Sequence, residues 1–305
     1  MAPAVGCSLS LRRIIEFGNL PGPSHPLSGG GRAGHFFVLW KDAMIWDTFM
    51  FGSAEAETDI LECRLRELED IPDLHHVIVE AEITHRGDKK PMWYREHAKR
   101  FEPWGARITY VHVAEHMLPS REENPDPWCR EYAQREFCRA GLDEAEPDDI
   151  VLHGDCDEIP RPGAITATQG MPLLVSVFQM RLCMYAVDWR HPLPWHGTIR
   201  TYYRSVGSFA QLRNMRNSLP VIVDGGSHLS WMGGTETHQA KLDTHCHLEM
   251  TDETREALRS GEWLREGRHS DGHKLEAVDV DETWPRWVHE RECPENWFRP
   301  REEAA

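Results

Sequence analysis

Apolar and polar positions alternate in short blocks along the first half of the chain. Phe36 to Trp40 and Met44 to Phe51 are apolar and aromatic and predict one or two strands, with Asp47 near the end of the second. Asp59 to Leu68 predicts a helix: Ile60, Leu61, Leu65 and Leu68 share a face, and Asp59 with Glu62 forms a capping box. His75 to Glu80 follows as a strand, Met92 to Phe101 as a helix, and Ile108 to Val113 as a further strand. Asp126 and Pro127 open another helix, whose buried stripe is predicted to be Cys129, Tyr132, Ala133, Phe137 and Ala140. Ile150 to Leu152 is too short for a helix and is bounded by breakers, so it reads as a buried strand. Strands and helices in alternation build parallel sheets, which makes the fold class α/β, with a mixed, mostly parallel central sheet flanked by helices.

After Pro162 the texture changes. Pro172 to Trp189 alternates apolar with polar residues (Val175, Val177, Gln179, Arg181) and predicts antiparallel or mixed strands. Trp189 and Trp195 bracket two prolines in an aromatic loop; its rings suit the apolar face of a sugar or a place in the core. Val221 to Asp224 is a short apolar run ending in an acid. Gly225 to Glu236 then holds four glycines in twelve positions, which allow tight turns and close approach to a ligand. Three segments follow: a flexible leader over 1–34, a catalytic-size domain over 35–260, and a Trp-rich helix and tail over 261–305 packed on that domain.

Composition narrows the partners. The 305 residues, 40% of them hydrophobic, suffice for one large core or two modest ones. A formal charge of −16 repels a phosphate backbone, which argues against nucleic acid. No apolar run is long enough for a membrane span, and the first ten residues make a poor signal peptide. Eight scattered cysteines without a Cys-x-x-Cys pair suit reduced thiols and a cytoplasmic location.

The candidate chemistry sits at Asp155-Cys156-Asp157, where the Ile150 strand ends. In open α/β sheets ligands bind beyond the carboxyl ends of the strands. Two hard oxygen ligands there suit Mg²⁺ or Mn²⁺ carrying a phosphate, and the plain alternative is a solvated acidic turn. A neutral imidazole from the His245 to Glu249 stretch would serve Mn²⁺, although His245 and His247 could equally form a separate zinc pair or be incidental. Glu80 ends its strand, and Thr84, Gly87, Lys89 and Lys90 follow in a polar loop able to reach over a ligand. On the residues alone this is a candidate metal–diphosphate site, and a metal-dependent hydrolase and a non-catalytic carbohydrate-binding protein both stay open.

Several separated motifs occur in one order: Asp47-x-Phe49-x-Phe51, Glu57-x-Asp59-x-Leu61-Glu62-x-Arg64-Leu65, Val79-Glu80, Thr84, Gly87, Lys90-Pro91, Trp128-x-Arg130-Glu131-x-x-Gln134-Arg135 and Asp155-x-Asp157-Glu158-Ile159-Pro160. Asp224, Gly226, His228, Ser230, Gly233-Gly234-x-Glu236, Lys241 and His247-x-Glu249 continue the series. From about Asp47 to Pro300 the chain resembles the β-1,4-mannosyl-glycoprotein 4-β-N-acetylglucosaminyltransferases, which add the bisecting residue to N-glycans, and their soluble bacterial and viral relatives. It departs from them by a short insertion between Phe51 and Glu57 and by Ser227 where tryptophan is commoner. The anchor and stem of the animal enzymes are not seen, so a Golgi location and a glycoprotein acceptor are not expected.

The resemblance implies a GT-A-like nucleotide-sugar-binding fold, UDP-N-acetylglucosamine as donor, a glycan acceptor, and an inverting reaction assisted by Mn²⁺ (or Mg²⁺). It implies that Asp155, Asp157 and His247 hold the metal. Glu236 is the first choice for catalytic base and Asp224 the second. Glu80 and Thr84 are placed toward the nucleoside, and Lys90 and Arg135 toward uracil or diphosphate, alongside Asp155.

Overall fold

The computed structural model describes residues 14–15, 43–169, 171, 175–244, 246 and 250–299. Its strands are β1 (Ile14–Ile15), β2 (Ile45–Phe51), β3 (Leu74–Ala81), β4 (Ile108–Val113), β5 (Ile150–Asp155), β6 (Glu158–Pro160), β7 (Val175–Met184), β8 (Trp189–Arg190), β9 (Trp195–Tyr202), β10 (Val221–Ser230) and β11 (Glu276–Ala277). The helices are α1 (Glu57–Leu68), α2 (Trp93–Glu96), α3 (Ala98–Phe101), α4 (Pro127–Glu136), α5 (Pro162–Thr168), α6 (Phe209–Asn214), α7 (Gly234–Thr244), α8 (Asp252–Arg259), α9 (Glu262–Glu266) and α10 (Arg286–His289). The strands join in one mixed sheet of order β1-β4-β3-β2-β5-β9-β7-β10-β6, with β8 and β11 hung from β7.

Strands β1 to β5 run parallel, β9 is antiparallel to both β5 and β7, and β10 returns parallel to β7. The strand order reverses between β2 and β5, and this topological switch point is where an open α/β sheet leaves a crevice for a ligand. The mixed α/β class read from the pattern is the fold observed.

Alternation along the parallel strands divides the core between the two faces of the sheet. Phe49, Phe51, Ile78 and Tyr110 point to one face, against Leu61 and Leu65 of α1 and the tryptophans Trp284, Trp287 and Trp297. Trp46, Val77, Val79, Val111, Val113 and Val151 point to the other, against Cys138, Leu142 and Phe209.

Several local expectations are corrected. Asp47 is the third residue of β2 and fully buried, not near the strand's end. No capping box forms on α1: the helix starts at Glu57, whose Oε2 accepts the backbone N–H groups of Gly52 (2.6 Å) and Ser53 (2.9 Å). Asp59 and Glu62 instead pair with Arg100 across α3. The stretch 92–101 is not one helix but two four-residue turns broken at His97.

Helix α4 does begin at Pro127 with Asp126 capping the Trp128 N–H, but it buries its polar stripe, Arg130, Glu131, Gln134 and Arg135. Tyr132 lies outside, 38% exposed. Burying those groups is tolerated because each has partners; Arg130, for example, donates to the carbonyls of His85 and Asn124. Gly225 and Gly226 lie inside β10, not in a turn, where a Cβ on Gly226 would sit 2.2 Å from the Ile159 carbonyl oxygen. Of the expected leader, Ile14–Ile15 adds an edge strand to β4, and the rest, like the strand expected over 36–40, lies outside the described residues.

Arg64 of α1 lies beneath the sheet's carboxyl end with no exposed surface. Its Nε and Nη2 form a fork on Asp47 (2.8 and 2.6 Å), and Nη1 donates to the carbonyl oxygens of Asp155, Cys156 and Glu158 (3.0, 3.2 and 2.7 Å). Asp47 also meets Nδ1 of His76 at 2.9 Å. Burial alone would raise the Asp47 carboxyl, but Arg64 and then His76 hold it far below the usual carboxylate range. Asp47→Ala strands the guanidinium, and the expected loss of folding stability is about 3–5 kcal/mol in urea unfolding. A loss under about 1 kcal/mol, the size of an exposed pair, would show that the pair does not organise the turn.

Candidate active site

Backbone geometry carries the two aspartates to the switch point. Asp155 is the last residue of β5, paired in register with Met50 of β2, and the chain then turns sharply into β6. Leu229 N–H of β10 donates to the Asp157 carbonyl at 2.8 Å, so β10 holds the turn from the far side.

Each carboxylate has its own cations. Asp155 is gripped by two arginines, Arg135 Nη1 on Oδ1 (2.9 Å) and Arg213 Nη2 on Oδ2 (2.6 Å). Asp157 faces Nε2 of His228 at 3.3 Å and Nζ of Lys241 at 3.4 Å. Glu158, fully buried, takes both Arg213 terminal nitrogens and the Trp195 indole N–H (2.6 Å). Burial works against ionising Asp155, yet Arg213 and Arg135 outweigh it and leave the carboxyl well below its ordinary range.

A second ring of groups surrounds the turn. Glu57, at the start of α1, feels both Lys241 and Asp157; burial raises its carboxyl, Lys241 opposes the rise and Asp157 adds to it. Trp195 lies 4.8 Å from the His228 ring, centroid to centroid. Glu131 of α4 bonds Arg135 Nη2 through Oε1 (2.8 Å) and accepts from Cys246 Sγ through Oε2 (3.0 Å).

The predicted residues are placed unevenly. Asp155, Asp157 and Arg135 come together, but Arg135 is buried and engaged with Asp155 and Glu131, not turned to an open nucleotide pocket. Glu80 lies two strands from Asp155, roughly 10 Å at sheet spacing. Its carboxylate is enclosed by Lys90 Nζ (3.2 Å), the N–H groups of Trp93 and Tyr94 (2.7 and 3.2 Å) and the Tyr110 hydroxyl (2.8 Å). Glu80 and Lys90 thus shape the loop after β3, and direct contact with a nucleoside would have to break these bonds. Thr84 is buried in the same loop, with Oγ1 accepting from the Asp88 N–H.

Glu236 is exposed in the first turn of α7, five residues before Lys241. Asp224 is exposed on a bulge of β10 at φ 55°, paired with Arg161. It lies four residues before His228, roughly 13 Å along a strand, so the structure separates it from the aspartates. His247, the expected third ligand, lies outside the described residues, as do His245 and Glu249. Among the described residues, two groups of three place potential ligand atoms within 4.8 Å of one another: His85, Glu131 and Cys246, and His191, His269 and Asp271. The aspartate pair belongs to neither.

Sequence reasoning gave no role to Glu57, Arg64, Glu131, Glu158, His228 or Lys241, although all stand in the motif series. Arg213, on the short helix α6, carried no signal at all.

The family model of Glycosyltransferase family 17 matches residues 38–260 and so spans both the switch point and the acidic turn. The chain belongs to this glycosyltransferase family. The protein is accordingly a transferase enzyme, which selects sugar transfer over the hydrolase and non-catalytic readings. Among curated proteins the glycosyltransferase finds no match.

Among solved structures it is similar to the inositol-1-phosphate CTP transferase from T. maritima, at 9% identity and a TM-score of 0.35 over 63% of this chain and 87% of that one. It is also similar to the galactosyltransferase LgtC in complex with donor and acceptor sugar analogues (12%, TM-score 0.30, 70% and 69%). A third is the apo-form glycosyltransferase GlyE of Streptococcus pneumoniae TIGR4 (10%, TM-score 0.28, 78% and 45%). Among the described residues no helix is long and apolar enough to cross a membrane.

The site gives the glycosyltransferase a pH dependence. Burial would raise the Asp157 carboxyl, but His228 and Lys241 push it down from 3.8 to about 2. A depressed folded value stabilises fully above 3.8 and loses its contribution as pH falls through about 2. Asp157→Asn is expected to remove about 2 kcal/mol of acid-dependent stability, read as the difference between thermal unfolding of variant and wild type across that window. Parallel pH profiles would contradict it.

Proposed function

We propose that this glycosyltransferase moves N-acetylglucosamine from UDP-N-acetylglucosamine to a glycan hydroxyl, with inversion at the anomeric carbon and assistance from Mn²⁺ or Mg²⁺. One observation carries the reading: the Asp155 to Glu158 turn stands at the switch point of the parallel strands, ringed by Arg135, Arg213 and Lys241. Charge of both signs gathered there suits a metal–diphosphate ligand better than either component alone.

The donor set fits a divalent cation. Asp155 and Asp157 offer oxygens, and His228, already beside Asp157, has a buried Nδ1 with no hydrogen-bond partner among the described residues. His247 remains the proposed third ligand. When bound, the cation would neutralise charge developing on the departing diphosphate.

The chain's own groups do the rest. Arg213 and Arg135 keep Asp155 ionised and oriented. Lys241 supplies positive charge beside Asp157, where diphosphate oxygens would lie. Thr84 and Lys90 border the nucleoside side, with Glu80 holding that loop in place. Glu236, exposed and on the helix that carries Lys241, takes the proton from the acceptor hydroxyl. Asp224 is the second choice for this step, because its carboxylate already faces Arg161. The scattered cysteines, with no Cys-x-x-Cys pair, suit a cytoplasmic setting of the soluble bacterial or viral type.

Isothermal titration tests the donor site: wild type is expected to bind UDP tightly only with Mn²⁺ present, and Asp157→Ala to lose that metal-dependent binding. Equal binding by the variant would remove the metal assignment. Glu236→Gln is expected to keep donor affinity and lower transfer by about 10²–10⁴-fold. Near-wild-type turnover would move the base to Asp224, to be checked with Asp224→Asn.

A further inference from the structure

A second cluster, unconnected with the acidic turn, gathers three imidazoles around one carboxylate. His191 follows β8 and is 5% exposed; His269, Asp271 and His273 sit on a tight hairpin after α9. Asp271 Oδ2 lies 3.0 Å from His191 Nε2, and Oδ1 lies 2.8 Å from His269 Nδ1 and 3.1 Å from His273 Nδ1. The His191 ring centroid is 4.9 Å from that of His269 and 5.0 Å from that of His273. Backbone bonds close the hairpin: Arg268 and Lys274 form a bridge, His269 N–H donates to the His273 carbonyl at 3.0 Å, and Gly272 takes the turn at φ 90°.

We propose that His191, His269, Asp271 and His273 form a structural binding site for Zn²⁺. His191, His269 and Asp271 place their ligand atoms within 4.8 Å of one another, His273 joins them through Asp271 Oδ1, and imidazole selects a transition metal over Mg²⁺ or Ca²⁺. The Leu193 carbonyl and N–H both lie 3.1 Å from His191 Nδ1; with Nδ1 protonated toward the carbonyl, the tautomer common in metal-bound histidines, Nε2 is the nitrogen that faces the ion. Tetrahedral bonds of about 2.0–2.2 Å put neighbouring ligand atoms roughly 3.3 Å apart, close to the 2.8–3.1 Å that separates the Asp271 oxygens from the three imidazole nitrogens.

The site also has a structural purpose. Just beyond the hairpin, β11 pairs with β8 through Glu276 with Arg190 and Ala277 with Trp189, contacts too few to hold a segment alone. A metal bound to both segments fastens the stretch that leads on to Trp284, Trp287 and Trp297 of the main core.

Metal analysis of the untagged full chain after gel filtration is expected to find one equivalent of zinc. Chelator stripping should lower the unfolding temperature, and added Zn²⁺ should restore it. Asp271→Asn combined with His273→Gln changes exposed positions and is expected to lose the zinc while keeping the wild-type circular dichroism. Cys246→Ser, in the other three-ligand group, and Asp157→Ala, in the acidic turn, are expected to retain it. Zinc absent from wild type with no thermal response to Zn²⁺ would overturn the proposal, as would zinc kept by the Asp271 and His273 variant or lost with Cys246→Ser.

Discussion

The ion pair between Arg64 and Asp47 ties three parts of the sequence into one object. A guanidinium has five donors and cannot be neutralised at any ordinary pH, so burying it requires a partner for its charge and acceptors for its remaining protons. Asp47 supplies the charge from the middle of β2, and the carbonyls of the acidic turn supply the acceptors. Position of the acidic turn and neutralisation of Arg64 are therefore one requirement. The aspartates stand at the switch point partly because Arg64 would be left with unpaired donors if the turn lay elsewhere.

Above that clamp the same logic repeats with progressively more exposure. Arg135 and Arg213 converge on Asp155, His228 and Lys241 on Asp157, and Glu158 closes the ring from below. A basin with this many matched charges is preorganised: a ligand bringing both a cation and a diphosphate can exchange partners without creating an uncompensated charge. Under the proposed function, that property suits sugar transfer from a nucleotide, in which negative charge grows on the leaving group as the bond to the sugar breaks.

Helix α4 inverts an amphipathic rule. Its apolar positions predicted an inward face, yet Arg130, Glu131, Gln134 and Arg135 are the buried side. A helix buries the face that its neighbours can satisfy, and here the neighbours are loop carbonyls and Asp155. The apolar residues Ala133, Phe137 and Ala140 are left half-buried at the edge of the second core. Glu80 follows the same pattern two strands from Asp155, where a carboxylate at a strand end is satisfied by its own loop.

The sequence by itself determined what depends on neighbours along the chain: the α/β alternation, the Pro127 start of α4, the strand that ends at Asp155, and, through its ordered motifs, membership of a glycosyltransferase family. These are legible because periodicity, caps and breakers act within a turn or two of helix or strand. Tertiary structure decided what depends on distant residues. It made Arg213 the partner of Asp155 across 58 positions, set Asp224 four residues along β10 from His228, turned the polar face of α4 inward, and brought His191 to a hairpin 80 residues later. Charge pairing across such separations has no local periodicity, so only the folded sheet brings the partners within reach of one another.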